Sequence, residues 1–369
     1  MAPTIDELLA AVERAPDDER VFALATDALL EADEQQGKLM AGSQSMLEKG
    51  MLEAPLGELV KRFTGLGEID YGNSRLTWRR GFVDAVSVLG YAGNRPIEKW
   101  WHQTIDLLTQ TPSEPERLRA ARLLQCVRRI EVGPFHGGAG TYERLWSLFA
   151  ELPLPASVRH FNADMFPDEH HDEHQMTWVT LGDLREVWPA FSRLESVRLR
   201  GSYVNLTGIS LPSAKSFEVV SSSLTPENVA QLRGAKWPRL ERLSLALGDG
   251  QYNDTPTTID DIQRLVDTLP PTVKHLGILN VPYSEELLHV FAASPKLKQL
   301  TEVDLSMGVL FDAAPILMQH ADAFAHLKVL EVGDTGLKPS AELTAKVPAL
   351  SWAKERREPK SERYVSVSE

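Results

Sequence analysis

Leu194-Glu195-Ser196-Val197-Arg198-Leu199 places apolar side chains at its first, fourth and sixth positions and polar ones at its third and fifth. The same spacing returns at Ala214, Phe217, Val219; Leu240, Leu243, Leu245; Val273, Leu276, Ile278; Leu300, Val303, Leu305; and Leu327, Leu330, Val332. From Leu199 onward, successive last positions lie 20, 26, 33, 27 and 27 residues apart. Two weaker matches precede them, Val127, Ile130, Val132 and Val158, Phe161, Ala163, and a weaker one still is Val83, Val86, Val88. Alternate residues of an extended strand share a side, so positions four and six predict a buried face and positions three, five and seven an outward one. One such strand cannot bury its apolar side alone. Parallel stacking, each strand returned by a helix on the opposite side, makes the core continuous.

The intervening segments carry helix signals. Thr225 is placed to cap a helix that starts at Pro226 and carries Val229 and Leu232 on one face. Thr258 precedes Ile262, Leu265, Val266 and Leu269 at helical spacing, and Pro270 with Pro271 ends that run. Ser284 reads as a cap, with Glu285 and Glu286 in the first turn and Leu287, Leu288 and Phe291 as the stripe. Pro315 opens a fourth run with Ile316, Leu317 and Phe324.

Outside the repeats the patterning changes. Residues 1–40 read as an acidic helical hairpin: Thr4 and Glu7 form a capping box ahead of Leu8, Leu9 and Val12, and Asp17 or Asp18 caps a second helix through Val21, Leu24, Ala25, Ala28 and Leu29. Its Asp27, Glu31, Asp33 and Glu34 predict a solvated face, with an acidic docking surface as the alternative. Residues 41–125 read as a mixed helical cap over the end of the array, with an edge strand after Trp78-Arg79-Arg80-Gly81-Phe82, a helix from Trp100 and Trp101, and a capping box at Ser113 and Glu116. Residues 126–350 hold the repeats, and 351–369 form a charged tail expected to be disordered.

Composition bounds the possibilities. The chain has 369 residues, about twice one compact domain, 43% hydrophobic and 25% charged, which excludes wholesale disorder and a fibrous protein. A single cysteine, Cys126, and an N-terminus without a basic-then-apolar leader predict a cytoplasmic protein, and no apolar run is long enough for a membrane anchor. A net charge of −13 argues against nucleic acid as partner. Arg117, Arg119, Arg122, Arg128 and Arg129 do cluster, but without interleaved aromatics to stack bases.

The triplets and their helical returns resemble the leucine-rich repeat superfamily, nearer its ribonuclease-inhibitor-like kind, over about residues 125 to 350. That resemblance implies an α/β leucine-rich-repeat solenoid, a curved parallel sheet inside and helices outside, with a helical N-terminal cap domain. The family's turn Asn or Cys, three residues after the last leucine, is replaced by Ser202, Ser222, Gly248, Val281, Gly308 and Thr335. The N-terminal segment, through Leu8 to Val12, Pro16-Asp17-Asp18, Asp27 to Glu31, Asp33 and Gly37, resembles a short repeat-companion domain of myxobacteria and other large-genome bacteria, with Ala28 where that domain usually has tryptophan. The resemblance implies architecture and protein binding, not a reaction.

Candidate chemistry is sparse. Asp168, Glu169, His170, His171, Asp172, Glu173 and His174 offer imidazoles and carboxylates suited to a divalent metal, and they carry the alternative reading, a metal-dependent hydrolase. The bland reading is a solvated loop lacking the groups that would fix ligands. Gly137, Gly138 and Gly140 follow a strand, but no Lys-Ser or Lys-Thr pair follows them, so a tight turn is favoured over a phosphate loop. No Gly-x-Ser-x-Gly elbow surrounds any serine, and Cys126 reads as a small buried hydrophobe.

The outward strand positions remain. The expected partner-binding set is Arg129, Glu131, His160, Asn162, Arg198, Arg200, Glu218, Arg242, His275, Glu302, Asp304 and Glu331, alongside Asp164, Ser196, Ser216 and Ser244. A rigid face graded from basic to acidic would orient a partner with little loss of conformational entropy. The expected function is therefore non-enzymatic recognition of another protein, as scaffold or regulator, with no cofactor and with Arg198, Arg200 and Arg242 as anchors. A sheet face that is merely soluble is the alternative.

Overall fold

The computed structural model describes residues 3–15, 18–32, 37, 38, 40–42, 74–80, 82–88, 126–133, 141–151, 154, 157–163, 177, 179–248, 255–333, 335 and 337–352. Several expectations lie outside them: the histidine-rich stretch 168–174, the glycines at 137, 138 and 140, the segment around Trp100 and Ser113, the basic residues at 117, 119 and 122, Asp164, and the tail from 353. Packing divides the chain into two units, Met1–Gly133 with Glu151–Met165, and Pro134–Ala150 with Phe166–Glu369.

In the first unit, helices α1 (Ile5–Arg14) and α2 (Glu19–Glu31) start where their polar caps dictate. The Thr4 hydroxyl accepts the Glu7 amide at 3.3 Å while the Glu7 carboxylate accepts the Thr4 amide at 2.8 Å, and Asp18 accepts the amides of Arg20 and Val21. Leu8, Leu9, Val12, Phe22, Ala25 and Leu29 are buried together with Met40, Phe82 and Cys126 in one apolar cluster. Phe22 meets Phe82 edge-on at 5.8 Å, and the Arg80 guanidinium sits 4.9 Å above the Phe22 ring while pairing with Glu19 at 3.2 Å.

The sheet of this unit runs in the order β1 (Ser74–Arg79), β2 (Phe82–Val88), β3 (Arg129–Val132), β4 (His160–Ala163). The first pair is an antiparallel hairpin with an irregularity at Thr77/Trp78, and the later pairs are parallel. Val86 stands opposite Ile130, and Ile130 opposite Phe161, so the fourth positions of the three weak triplets fall into one row.

The second unit carries a parallel sheet in the order β6 (Ser196–Arg200), β8 (Ser216–Val220), β9 (Arg242–Ala246), β10 (His275–Leu279), β11 (Glu302–Asp304), β12 (Val329–Glu331), β13 (Leu350–Ser351). Its register is set by the apolar spacing: Val197, Phe217, Leu243, Leu276, Val303 and Leu330 are successive cross-strand partners, all fully buried. The long parallel sheet of an α/β chain is thus built on the triplets. Ser351, assigned to the tail by the sequence, pairs with Glu331 and ends the ladder.

Helices return the later strands. Helices α4 (Pro226–Arg233) and α5 (Ile259–Asp267) begin in capping boxes at Thr225 and Thr258, followed by α6 (Ser284–Ala293), α7 (Ala313–Gln319), α8 (Ala321–Phe324) and α9 (Ala341–Lys346). Ser284 does not cap α6, as its place in the sequence suggested. It is the first helical residue, fully buried; its hydroxyl donates to the Val281 carbonyl at 2.8 Å and accepts the Val309 amide at 3.3 Å, tying two neighbouring turns.

The return from β6 to β8 departs from expectation. No helix is present among its residues; Ser202–Asn205 instead forms β7, which pairs in parallel with β5 (Thr180–Asp183) in a second, two-stranded sheet. The connection from Gly201 to Lys215 is short for a full helix plus two turns; Val204 favours extended backbone, while Tyr203 takes a left-handed φ of +50°. An aromatic column fills the core at this end, from Tyr142 and Trp146 of α3 (Glu143–Glu151) and its approach, through Phe149, Phe191 and Trp188 to Phe217 and Trp237, with ring separations of 5.2 to 6.5 Å.

Several of the turn positions that follow the triplets find hydrogen-bond partners. Ser202 and Ser222 share a buried hydroxyl–hydroxyl bond of 2.8 Å, and Thr335 donates to the Val332 carbonyl at 2.7 Å. At Gly248, with φ +89°, the Ser222 backbone occupies the space a side chain would need. Among the described residues no helix is long and apolar enough to cross a membrane.

Candidate functional site

Strand register decides which outward side chains meet. In the second unit Ser196, Ser216, Arg242, His275 and Glu302 form one cross-strand row. Arg198, Glu218, Ser244, Gly277, Asp304, Glu331 and Ser351 form the next. Apart from buried Gly277, the side chains of these rows alternate with the buried apolar ones, so this face presents its polar groups to solvent.

Opposite charges placed side by side by the register are paired. Arg198 reaches Glu218 at 3.1 Å. Arg242 lies 3.2 Å from Nε2 of His275 and 3.3 Å from the Glu302 carboxylate, which also lies 2.9 Å from Nδ1 of His275. Asp304 accepts the amide of Ser306 at 2.9 Å, and Glu331 accepts from the Ser351 hydroxyl at 2.7 Å and the Gly333 amide at 2.9 Å. Arg200 is half-buried at the end of β6. The Leu279 side chain leans over Gly277, where a Cβ would lie 2.8 Å from its Cδ1 and 2.9 Å from the Ser244 hydroxyl, so the centre of the face is closed rather than hollow.

The electrostatics centre on His275. Burial, the largest influence, pushes its pKa below the ordinary 6.5 against the opposing pull of the Glu302 hydrogen bond, and Arg242 acts in the same direction as burial. The imidazole is neutral: Nδ1–H donates to Glu302 and Nε2 accepts from the guanidinium, a tautomer its two partners fix. Glu302 is in turn held below the usual carboxylate range, first by that hydrogen bond.

The first unit supplies the other four expected residues. Arg129 stands opposite His160, and Glu131 opposite Asn162. Glu131 accepts the Ser87 hydroxyl at 2.6 Å, and Arg129 reaches Asp84 at 3.5 Å. Asp84 also holds Arg128 through contacts of 2.6 and 2.7 Å, so two arginines of the basic cluster converge on one nearly buried carboxylate. Sequence reading missed Asp84. The signal was available, since an aspartate inside the apolar run Phe82 to Val88 needs a buried partner.

A further feature went unread: a cavity of about 380 Å³ in the second unit, lined by Tyr203, Asn205, Thr225, Asn228 and Gln231 among others. Its amides are engaged with one another and the backbone. Asn228 donates to the Val204 carbonyl at 2.7 Å and to Gln231 at 3.2 Å, and Gln231 donates to Asn205 at 3.1 Å while accepting the Leu206 amide at 2.8 Å. The cluster therefore braces α4 against β7.

Protein comparisons bear on the fold alone. The chain matches no protein-family model and no curated protein sequence. It is similar to a protein of solved crystal structure from Bacteroides fragilis, at 23% identity and a TM-score of 0.53, over 61% of this chain and 64% of that one. The match thus spans under two thirds of the Bacteroides protein's length.

Proposed function

We propose that the chain is a non-enzymatic protein-recognition module: a leucine-rich-repeat solenoid whose outward strand face binds another protein. The observation that carries this reading is the polar face of the second unit, where the rows through Arg242, His275, Glu302 and through Arg198, Glu218, Asp304, Glu331 are fixed side by side by a parallel ladder. Side chains held by register lose little freedom on binding. Basic groups concentrate on β6 and β9 and acidic ones on β11 and β12, so a partner with the reverse polarity would dock in one orientation.

Internal pairing shapes the mechanism. Arg198 and Arg242 keep 43% and 50% of their side-chain surface exposed while bound to Glu218 and Glu302. Such pairs contribute at most about 1 kcal/mol each to stability, so a partner's carboxylate can compete for the arginine without unfolding the sheet. A double variant, Arg198→Glu with Arg242→Glu, is expected to fold and to lose partners that the native chain captures from a lysate. Capture of the same proteins by both would remove the strand face from the mechanism and leave the array as a spacer.

A further inference from the structure

His289 on α6 and His320, which ends α7, bring Nδ1 and Nε2 to 3.0 Å with the rings nearly perpendicular at 87°. The two residues are 31 apart in sequence and belong to successive repeats. Their backbones are fixed from beneath: Leu288 and Phe291 of α6 and Leu317 and Phe324 of α7 and α8 are buried, and the His320 amide donates to the Ile316 carbonyl at 3.0 Å. The imidazoles themselves face outward, His289 exposed and His320 half-buried.

As it stands, one ring nitrogen donates and the other accepts. Two unprotonated imidazole nitrogens this close are also a bidentate ligand. With metal–nitrogen bonds of about 2.0 to 2.1 Å, two ligands at a right angle lie about 2.9 Å apart and two at the tetrahedral angle about 3.3 Å apart. The observed 3.0 Å falls between these limits and nearer the first. Moving the shared proton to a remote ring nitrogen and turning each ring by about 35 to 45° from the N···N line would aim both lone pairs at one ion. Exposed Glu286, one turn before His289 on the same helix, adds negative charge beside the pair.

We propose that His289 and His320 form a surface site for a divalent transition-metal ion of the imidazole-preferring kind, bound by two nitrogens with water in the remaining positions, Cu2+ most tightly. The ion bridges α6 and α7 on the helical side and does not depend on the strand face.

The test uses the full chain carrying His170→Ala, His171→Ala and His174→Ala, so that the other histidine-rich stretch cannot contribute. Cu2+ alone is titrated, and binding is followed by calorimetry and by the nitrogen hyperfine pattern in the electron paramagnetic resonance spectrum. The expected result is one equivalent of Cu2+ with two imidazole nitrogens. Loss of an outer-sphere partner alone weakens a metal site by about 10- to 100-fold; removing a ligand by His289→Ala or His320→Ala should weaken this one at least as much, with the circular dichroism unchanged. Absence of Cu2+ uptake in the triple variant, or uptake that both single replacements leave unaltered, would overturn the proposal.

Discussion

His275 and Glu302 face each other across adjacent parallel strands, with Nδ1 of the imidazole 2.9 Å from a carboxylate oxygen and Arg242 completing a three-residue row. Arg242, Glu302 and Asp304 are the charged groups that act on the ring, and burial outweighs the two carboxylates, so the folded pKa lies below 6.5. The unfolded chain therefore binds more protons as pH drops below 6.5, and stability falls on acidification through that window. Glu302, also lowered, adds a loss of the same sign only below its ordinary 4.5. Urea midpoints measured from pH about 7 down to about 5 should fall less steeply for His275→Gln than for the native chain. Equal slopes would mean that the ring titrates as it does in water.

Two glycines with left-handed backbone should respond differently to alanine. Gly208, at φ +77°, has no atom within 4 Å of a built Cβ, so Gly208→Ala carries the backbone strain alone, about 1 kcal/mol. Gly248, at φ +89°, has the Ser222 backbone in that space. Gly248→Ala must also displace a neighbouring turn and should cost several times more, read as the difference in denaturation midpoint between the two variants.

These turns mark where sequence reading reached its limit. The triplet spacing carried the register of the sheet, because Val197, Phe217, Leu243, Leu276, Val303 and Leu330 have no other way to be buried at once. Capping at Thr4, Thr225 and Thr258 was equally local and equally legible. The pairing of Arg242 with Glu302 skips a strand and depends on side-chain reach, which spacing does not encode. Strand β7, the brace around Asn228 and the approach of His289 to His320 all depend on where a connection crosses the outer side of the fold. Alternation marks the twelve expected face residues as outward, but it does not say what a side chain does there.

Asn228 offers a measure of the brace. It is buried, accepts the Thr225 amide at 3.0 Å and donates to the Val204 carbonyl at 2.7 Å. Asn228→Ala removes the side-chain half of the capping box and leaves the Thr225 amide and the Val204 carbonyl without their side-chain partner, at about 1 to 3 kcal/mol for the unsatisfied buried group, while the Thr225 hydroxyl still caps the backbone amide of residue 228. Thr258→Ala, which removes a cap on an exposed helix start, should cost only about 1 kcal/mol. The ordering of the two variants in chemical denaturation checks the assignment, and near-equal costs would show that the amide cluster bears no strain of its own.

Cys126 reports on the first unit. Burial pushes its thiol far above the ordinary range, and it lies in the same cluster as Leu8, Val12 and Phe22. Since the thiolate is the reacting form, alkylation at neutral pH requires the hairpin to open. Phe22 supplies the edge contact with Phe82 at 5.8 Å, and Phe22→Ala should weaken the packing by about 3 kcal/mol. When closing is fast relative to labelling, the labelling rate follows the open population, and about 3 kcal/mol corresponds to an increase of about 100-fold. Iodoacetamide should therefore label the native chain slowly, the Phe22→Ala variant about two orders of magnitude faster, and both at the same rate in denaturant. A native chain labelled as fast as the unfolded one would mean that α1 and α2 do not cover the thiol.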